Sequence, residues 1–247
     1  EAVKILKTAK KPLIISGGGV RYSGAVEALV KFAEERMIPV AETIAGKGAF
    51  VHDHPFYVGA IGIEGTDAAK ELAESADVVI AVGTRLQDFT TGSWTTFRYD
   101  AKFININTAR FDAKKHFSNP IVGDALECLE ELNSRLDGWV CDASRIDEAR
   151  KLYSDWNEAI DKGQAPTNAS FPSYAQAIAV VNKHAKPTDT MVTAAGGLPG
   201  ETIKNWRVKA SNTFDCEFGF SCMGYEIAGA WGHAMAMNGD GVPIVLV

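Results

Sequence analysis

Cysteine is scarce and unpatterned in this sequence: Cys128, Cys141, Cys216 and Cys222 form no C-x-x-C pair and have no histidine at zinc-finger spacing. That argues against a disulfide framework and a structural zinc site, and it reads as four reduced thiols in a cytoplasmic protein. Long apolar runs are missing too. The longest clean ones, residues 78–82 and 242–247, fall far short of the ~18 residues a membrane span requires. Basic clusters are absent: 25 Lys and Arg stand against 31 Asp and Glu, for a net charge of -6. This removes the electrostatic footprint of a nucleic-acid or anionic-membrane partner. Residues 1–10 alternate charges where a signal peptide has its apolar stretch, and they read as helix without an initiator Met. The chain is therefore expected to begin in mid-protein. What is present is a chain of 247 residues, 46% hydrophobic and 23% charged, enough to bury a sizeable core.

Short β-branched runs alternate with amphipathic stretches, the pattern of an α/β protein with a mostly parallel sheet. Strands are predicted at residues 13–16, 38–41, 78–82, 103–106 and 121–122, with helices between them. One such helix, residues 24–36, carries Val26, Leu29, Val30 and Ala33 on a single face. These elements make residues 1–137 a Rossmann-like domain. Over residues 138–172 the strand signal disappears; 144–160 reads as a helix and 162–168 as a polar, Gly/Pro-punctuated connection, together a helical linker. In residues 173–247 the rhythm restarts with helices at 174–184, 199–208 and 222–237 and strands at 190–193 and 243–247. Two or three strands are too few for an independent sheet. An apolar run ending without a cap reads as the incomplete start of a second α/β domain.

Five motifs carry possible chemistry. Ser16-Gly17-Gly18-Gly19 lies between a strand and a helix, where glycines let a phosphate approach backbone amides. A tight turn is favoured over a dinucleotide site, because Tyr22 stands where G-x-G-x-x-G needs its last glycine. Asn105 and Asn107 close a later strand with amides where a ribose-binding carboxylate is needed. His52-Asp53-His54 offers metal-ligand types, but with no third cluster a turn before Pro55 is the simpler reading. The segment from Ala194 through Gly196, Gly197, Leu198, Pro199 and Gly200 sits at the carboxyl end of a strand and opens a helix, so a diphosphate site and a plain turn both remain open. Phe218 to Glu226 leads into a helix where Gly224, Ala228, Gly232 and Ala236 recur every fourth residue. That ridge lets another helix approach closely, within the fold or across a subunit interface, while Ile227, Trp231 and Met235 are expected in the core. Asn238-Gly239-Asp240-Gly241 precedes a strand and reads as a turn, not a metal site.

Taken together these residues resemble thiamine-diphosphate enzymes of the acetolactate-synthase-like superfamily. The likeness rests on residues 11–19, on Gly46-Lys47-Gly48-Ala49-Phe50 through His54-Pro55, on 76–85 and 120–124 for the central domain, and on 193–201 and 217–226 for the diphosphate-binding domain. Within the family the last two segments are most similar to members that add water across a ring C–C bond of a cyclic polyol diketone in inositol breakdown. The resemblance implies that Gly196, Gly197, Leu198, Pro199 and Gly200 bind the diphosphate. It implies that Ser221, Cys222, Met223 and Gly224 hold the rings, with a backbone carbonyl near Ser221 taking the aminopyrimidine and Met223 wedging the thiazolium. Holding the two rings close makes deprotonation of the thiazolium intramolecular. The Mg²⁺ ligands and the family's activating Glu are implied to lie outside this sequence, leaving no catalytic or metal-ligating residue within it. The chain alone is accordingly expected to be inactive.

In acetolactate synthases the central domain holds FAD; Asn105 and Asn107, where that pattern is acidic, argue against it here. Glu226, where those enzymes carry a small residue, is a candidate contact to polyol substrate or cofactor, against the simpler reading of a first-turn Glu favoured by the helix dipole. The family builds its cofactor site between subunits, so a homodimer or tetramer is implied. The alternatives are an acetolactate-type carboligase and a nucleotide-binding module without chemistry that uses Gly17 to Gly19 and Gly83.

Overall fold

The computed structural model describes residues 1–220 and 222–247. After α1 (Ala2–Lys7), the first sheet begins with β1 (Pro12–Ser16), followed by α2 (Gly18–Tyr22) and α3 (Val26–Arg36). It continues through β2 (Val40–Glu42), β3 (Tyr57–Ala60), α4 (Asp67–Ser75), β4 (Val78–Val82), α5 (Asp88–Thr91), β5 (Lys102–Asn107), α6 (Arg110–Ala113), β6 (Asn119–Val122) and α7 (Ala125–Arg135). The long α8 (Ser144–Gln164) leads to α9 (Tyr174–His184) and a second sheet, made of β7 (Thr190–Thr193), α10 (Gly197–Asn205), β8 (Phe214–Cys216), α11 (Tyr225–Met237) and β9 (Pro243–Val245).

All strand pairs are parallel. The first sheet runs β3-β2-β1-β4-β5-β6 and the second β8-β7-β9. The first is the doubly wound order of dinucleotide-binding folds, with its switch point between β1 and β4. Every residue of β1 and β4 is buried, as a sheet covered on both faces demands. Ile14, Ile80, Val82, Ile104 and Ile106 face one side with Leu29, Phe32 and Leu129, whereas Leu13, Ile15, Val79 and Ala81 face the other with Leu72, Ala73 and Ala149. Each such aliphatic side chain stabilises the fold by about 1.5–3 kcal/mol on burial. Side chains start the helices: Thr66 accepts from Ala69 N, Asp124 from Leu126 N, and Ser173 and Gln176 form a capping box.

Several expectations need correction. The helix expected over residues 24–36 is α3, which begins at Val26 after Gly24 turns with φ +63°; the short α2 before that turn was not expected. The strand expected at 38–41 lies at Val40–Glu42, and the helices expected from 199 and 222 are Gly197–Asn205 and Tyr225–Met237. β3 and β8 were not predicted; each is short, and β3 pairs with an irregular register.

The helix α11 packs the other way round from expectation. Glu226 and Ala230 are buried against the second sheet, while Ile227, Trp231 and Met235 are 70%, 70% and 73% exposed. α11 packs on β7 and β9 through Glu226 and Ala230 with half-buried Gly229, His233 and Met237, and the small-residue ridge Gly224, Ala228, Gly232 and Ala236 is exposed along with the bulky side chains. Among the described residues no helix is long and apolar enough to cross a membrane.

Candidate functional site

Two chain segments leave neighbouring strand ends of the second sheet. Thr193 of β7 pairs with Cys216 of β8, and Glu217 N donates to Thr193 O at 3.2 Å. The segment following β7 and the segment following β8 are thereby brought side by side, although they are far apart in sequence.

Gly196 opens α10 with φ 146° and no side-chain cap. Gly200 N closes the first helical bond on Gly196 O at 2.9 Å, and Pro199 has no N–H, so the free donors of this helix start are those of Gly197 and Leu198. Gly196 and Gly197 are exposed, whereas Pro199 and Gly200 are buried. A Cβ on Gly200 would meet the Glu64 carboxyl at 3.5 Å. Glu64 in turn pairs with Lys204 of α10 at 2.9 Å. The helix start is thus open on the Gly196–Leu198 side, away from Glu64.

The second segment is held from within. The Glu217 carboxylate accepts from Phe220 N at 3.0 Å and from Cys222 N at 3.1 Å. Met223 is 82% exposed and available to pack against a ligand. Glu226 is buried and accepts from Gly224 N at 2.8 Å, so it closes the start of its own helix and is not a solvated first-turn residue. Ser221 lies outside the described residues. Behind the segment, Asp215 accepts from the Tyr225 hydroxyl at 2.5 Å and lies 3.3 Å from His233 Nε2, tying α11 to β8. Burial first, then Asp215 and Glu217, push the Cys216 thiol up to about 12, which disfavours its thiolate.

The glycine-rich turn after β1 is put to a different use. Gly17 N donates to Val82 O at 2.8 Å and Gly19 N to Gly83 O at 3.0 Å. Gly83 has φ +61°, and a Cβ there would lie 2.7 Å from Gly19 Cα. The glycines bring two loops into backbone contact at the switch point. The remaining polar cavity, about 160 Å³ with Thr43, Thr84, Arg85 and Gln87 on its wall, is small for a dinucleotide.

His52, Asp53 and His54 sit in turns. His52 Nδ1 lies 3.3 Å from Val208 O, and His54 Nδ1 accepts from Phe56 N at 3.2 Å. Among the described residues no cluster of three or more His, Cys, Asp or Glu is arranged to hold a metal ion.

Two buried titratable side chains missed at the sequence level, Glu42 and Lys47, lie where the two sheets meet. Glu42, at the end of β2, accepts from Phe50 N at 2.7 Å and Gly48 N at 3.2 Å. Burial pushes its carboxyl up to about 7, against the pull of Lys47. Burial also draws the Lys47 ammonium down to about 8, against Glu42. Lys47 Nζ stands 5.4 Å from the centroid of Phe214 in β8, whose carbonyl accepts from Arg21 at 2.7 Å.

Residues 1–132 match the family described as thiamine pyrophosphate enzyme, central domain. The whole chain is 37% identical over 279 residues to a 3D-(3,5/4)-trihydroxycyclohexane-1,2-dione hydrolase of Clostridium perfringens, covering 44% of that protein. It is 38% identical over 278 residues to the enzyme of the same name from Geobacillus thermodenitrificans, covering 43% of it. A third relative of that name, from Clostridium botulinum, is 38% identical over 96% of this chain and 40% of its own length. The chain therefore spans less than half the length of these curated relatives.

Proposed function

The chain belongs to the thiamine pyrophosphate enzymes through their central domain, and from that premise we propose that it forms part of an enzyme hydrolysing a ring C–C bond of a trihydroxycyclohexane-1,2-dione with thiamine diphosphate and Mg²⁺. The observation that carries this reading is the adjacency of the two segments: an open helix start with free amides at Gly197 and Leu198, beside a clasped loop that presents Met223. The relatives' name supports the dione as substrate.

In this reading residues 1–137 are the central domain, 138–172 a helical linker and 173–247 part of the diphosphate-binding domain. Gly196 to Gly200 take the diphosphate, with the dipole of α10 favouring its charge. Glu64, paired with Lys204, fills the space on the far side of Gly200 and leaves Gly197 and Leu198 as the open side. Cys222, Met223 and Gly224, with Ser221, contact the rings, and Glu217 keeps this loop in place through two backbone amides. When bound, thiamine diphosphate supplies the electron sink that cleavage between two carbonyl carbons requires. Water then provides the hydroxyl of a new carboxyl group and the hydrogen of a new aldehyde, and the ring opens without loss of carbon.

FAD has no part in this account. The amides of Gly17 and Gly19, which would meet its phosphates, are already bonded to Val82 and Gly83. A second subunit is assigned to the outer face of α11, where Ile227, Trp231 and Met235 stand in solvent. Calorimetric titration of the full-length protein with thiamine diphosphate and Mg²⁺ tests the cofactor assignment. Saturable binding, weakened about ten-fold or more in Gly197→Glu, supports it; absence of binding to the unaltered protein overturns it.

A further inference from the structure

Residues 217–220 and 222–224 belong to neither helix nor strand, so something other than secondary structure must hold them in place. The Glu217 clasp fixes the segment internally without fixing it to the rest of the protein. The segment is tied to its own sheet by Glu217 N on Thr193 O and by Phe218 packing on the core of the second sheet, and further support comes from the first half of the chain. Phe218, half-buried, meets the ring of Phe89 in α5 edge to face, with centroids 5.3 Å apart and planes at 73°. Arg85, just after β4, lies against the same segment: a Cβ on Gly219 would be 3.8 Å from its Nη2.

Phe89 is itself held by its backbone. Its carbonyl accepts from Ile63 N at 2.9 Å. Gly62 sits on that carbonyl with φ +112°, where a Cβ would collide with the Phe89 oxygen. Two residues on, Glu64 reaches Lys204 of α10. The loops after β3 and β4 thus form one support that touches both segments assigned to the cofactor.

We propose that Phe89 is a positioning residue: from the first sheet it holds residues 217–220 and 222–224 in the orientation that receives the cofactor rings. This rests on the cofactor reading above for its purpose, but the mechanical coupling stands on the contacts alone. Phe89 is 44% exposed, so its ring adds little to the core and its removal leaves the sheet intact. An edge-to-face aromatic pair contributes enough to change the population of a clasped loop about 3- to 10-fold.

The test compares the full-length protein with its Phe89→Ala and Phe89→Tyr variants. Amide hydrogen exchange without cofactor is measured across 214–226, the stretch containing the Phe220 and Cys222 donors, with strands β1 and β4 as internal reference. Phe89→Ala is expected to speed exchange about 3- to 10-fold in that stretch alone, and Phe89→Tyr, which keeps the ring edge, to restore it. The half-saturating concentration of thiamine diphosphate should rise by a similar factor while that of the dione stays constant. Equal exchange in Phe89→Ala and the unaltered protein overturns the positioning role, and so does a uniform acceleration that includes β1 and β4. If Phe89→Ala fails to fold, Phe89→Leu, which fills the space without a ring edge, is read by the same criteria. Failure of the unaltered protein to bind thiamine diphosphate overturns the cofactor reading instead, while the exchange comparison still decides the mechanical one.

Discussion

The Glu42 carboxyl and the Lys47 ammonium are both buried, 0% and 4% exposed, where the end of β2 meets β8. Each is the principal opposite charge the other experiences. Burial disfavours the charged form of both, and each charge offsets part of that cost for the other.

The pair predicts a defined pH dependence. The Glu42 carboxyl is raised from 4.5 to about 7, so its contribution to stability is complete below pH 4.5 and lost as pH rises through 7. The Lys47 ammonium is lowered from 10.5 to about 8, so its contribution is complete above pH 10.5 and lost as pH falls through 8. Lys47→Met removes the charge that pulls the Glu42 carboxyl down, so that carboxyl rises further. Urea denaturation should show a deficit relative to the unaltered protein that grows as pH rises through 7 and shrinks towards pH 5, where Glu42 is protonated in both. A loss independent of pH would mean that Lys47 acts by packing on Phe214 alone.

Gly83→Ala should destabilise by about 2–4 kcal/mol, because it combines a positive φ with a Cβ driven into the Gly19 backbone. Thermal unfolding measures this. A variant as stable as the parent would show that the turn after β1 has room to move, reopening a phosphate site there.

Arg145, 2% exposed on α8, donates to Leu72 O at 2.9 Å, Ser75 Oγ at 3.1 Å and Glu148 at 2.8 Å. Arg145→Ala removes a donor that Leu72 O shares with the Ser75 hydroxyl and opens a cavity, for an expected loss of about 3 kcal/mol by chemical denaturation. The loss should persist at high salt, since only Glu148 among these partners is charged.

The outer face of α11 predicts assembly. Trp231→Glu puts a charge on a face where Ile227 and Met235 are also exposed. Sedimentation velocity of the full-length protein should show a shift to smaller species with unchanged circular dichroism. An unaltered sedimentation coefficient would remove this face from the subunit contact.

How much of this was legible in the sequence follows from where each signal lies. β1 and β4 are continuous apolar runs because both sheet faces are covered, and such runs stand out. β3 and β8 are short, and Gly59 or Asp215 interrupts their hydrophobic pattern. In α11 apolar residues occur all round the helix, so periodicity did not identify the inner face, which carries Glu226, Ala230 and the half-buried His233 near Asp215. The helix start at 196–200 is legible because a strand end, three glycines and a proline are local features. Glu64, Arg85 and Phe89 are not, since they reach the site from loops of the other sheet and only the tertiary fold brings them there.

The central claim is tested most directly by incubating the full-length protein with thiamine diphosphate, Mg²⁺ and the trihydroxycyclohexane-1,2-dione in ¹⁸O-labelled water and following the product by NMR and mass spectrometry. The account predicts a single ring-opened aldehyde acid with the label in its carboxyl group, formed only when the cofactor is present. An unchanged dione with the cofactor demonstrably bound, or acetolactate formed from pyruvate by the same protein, would contradict it.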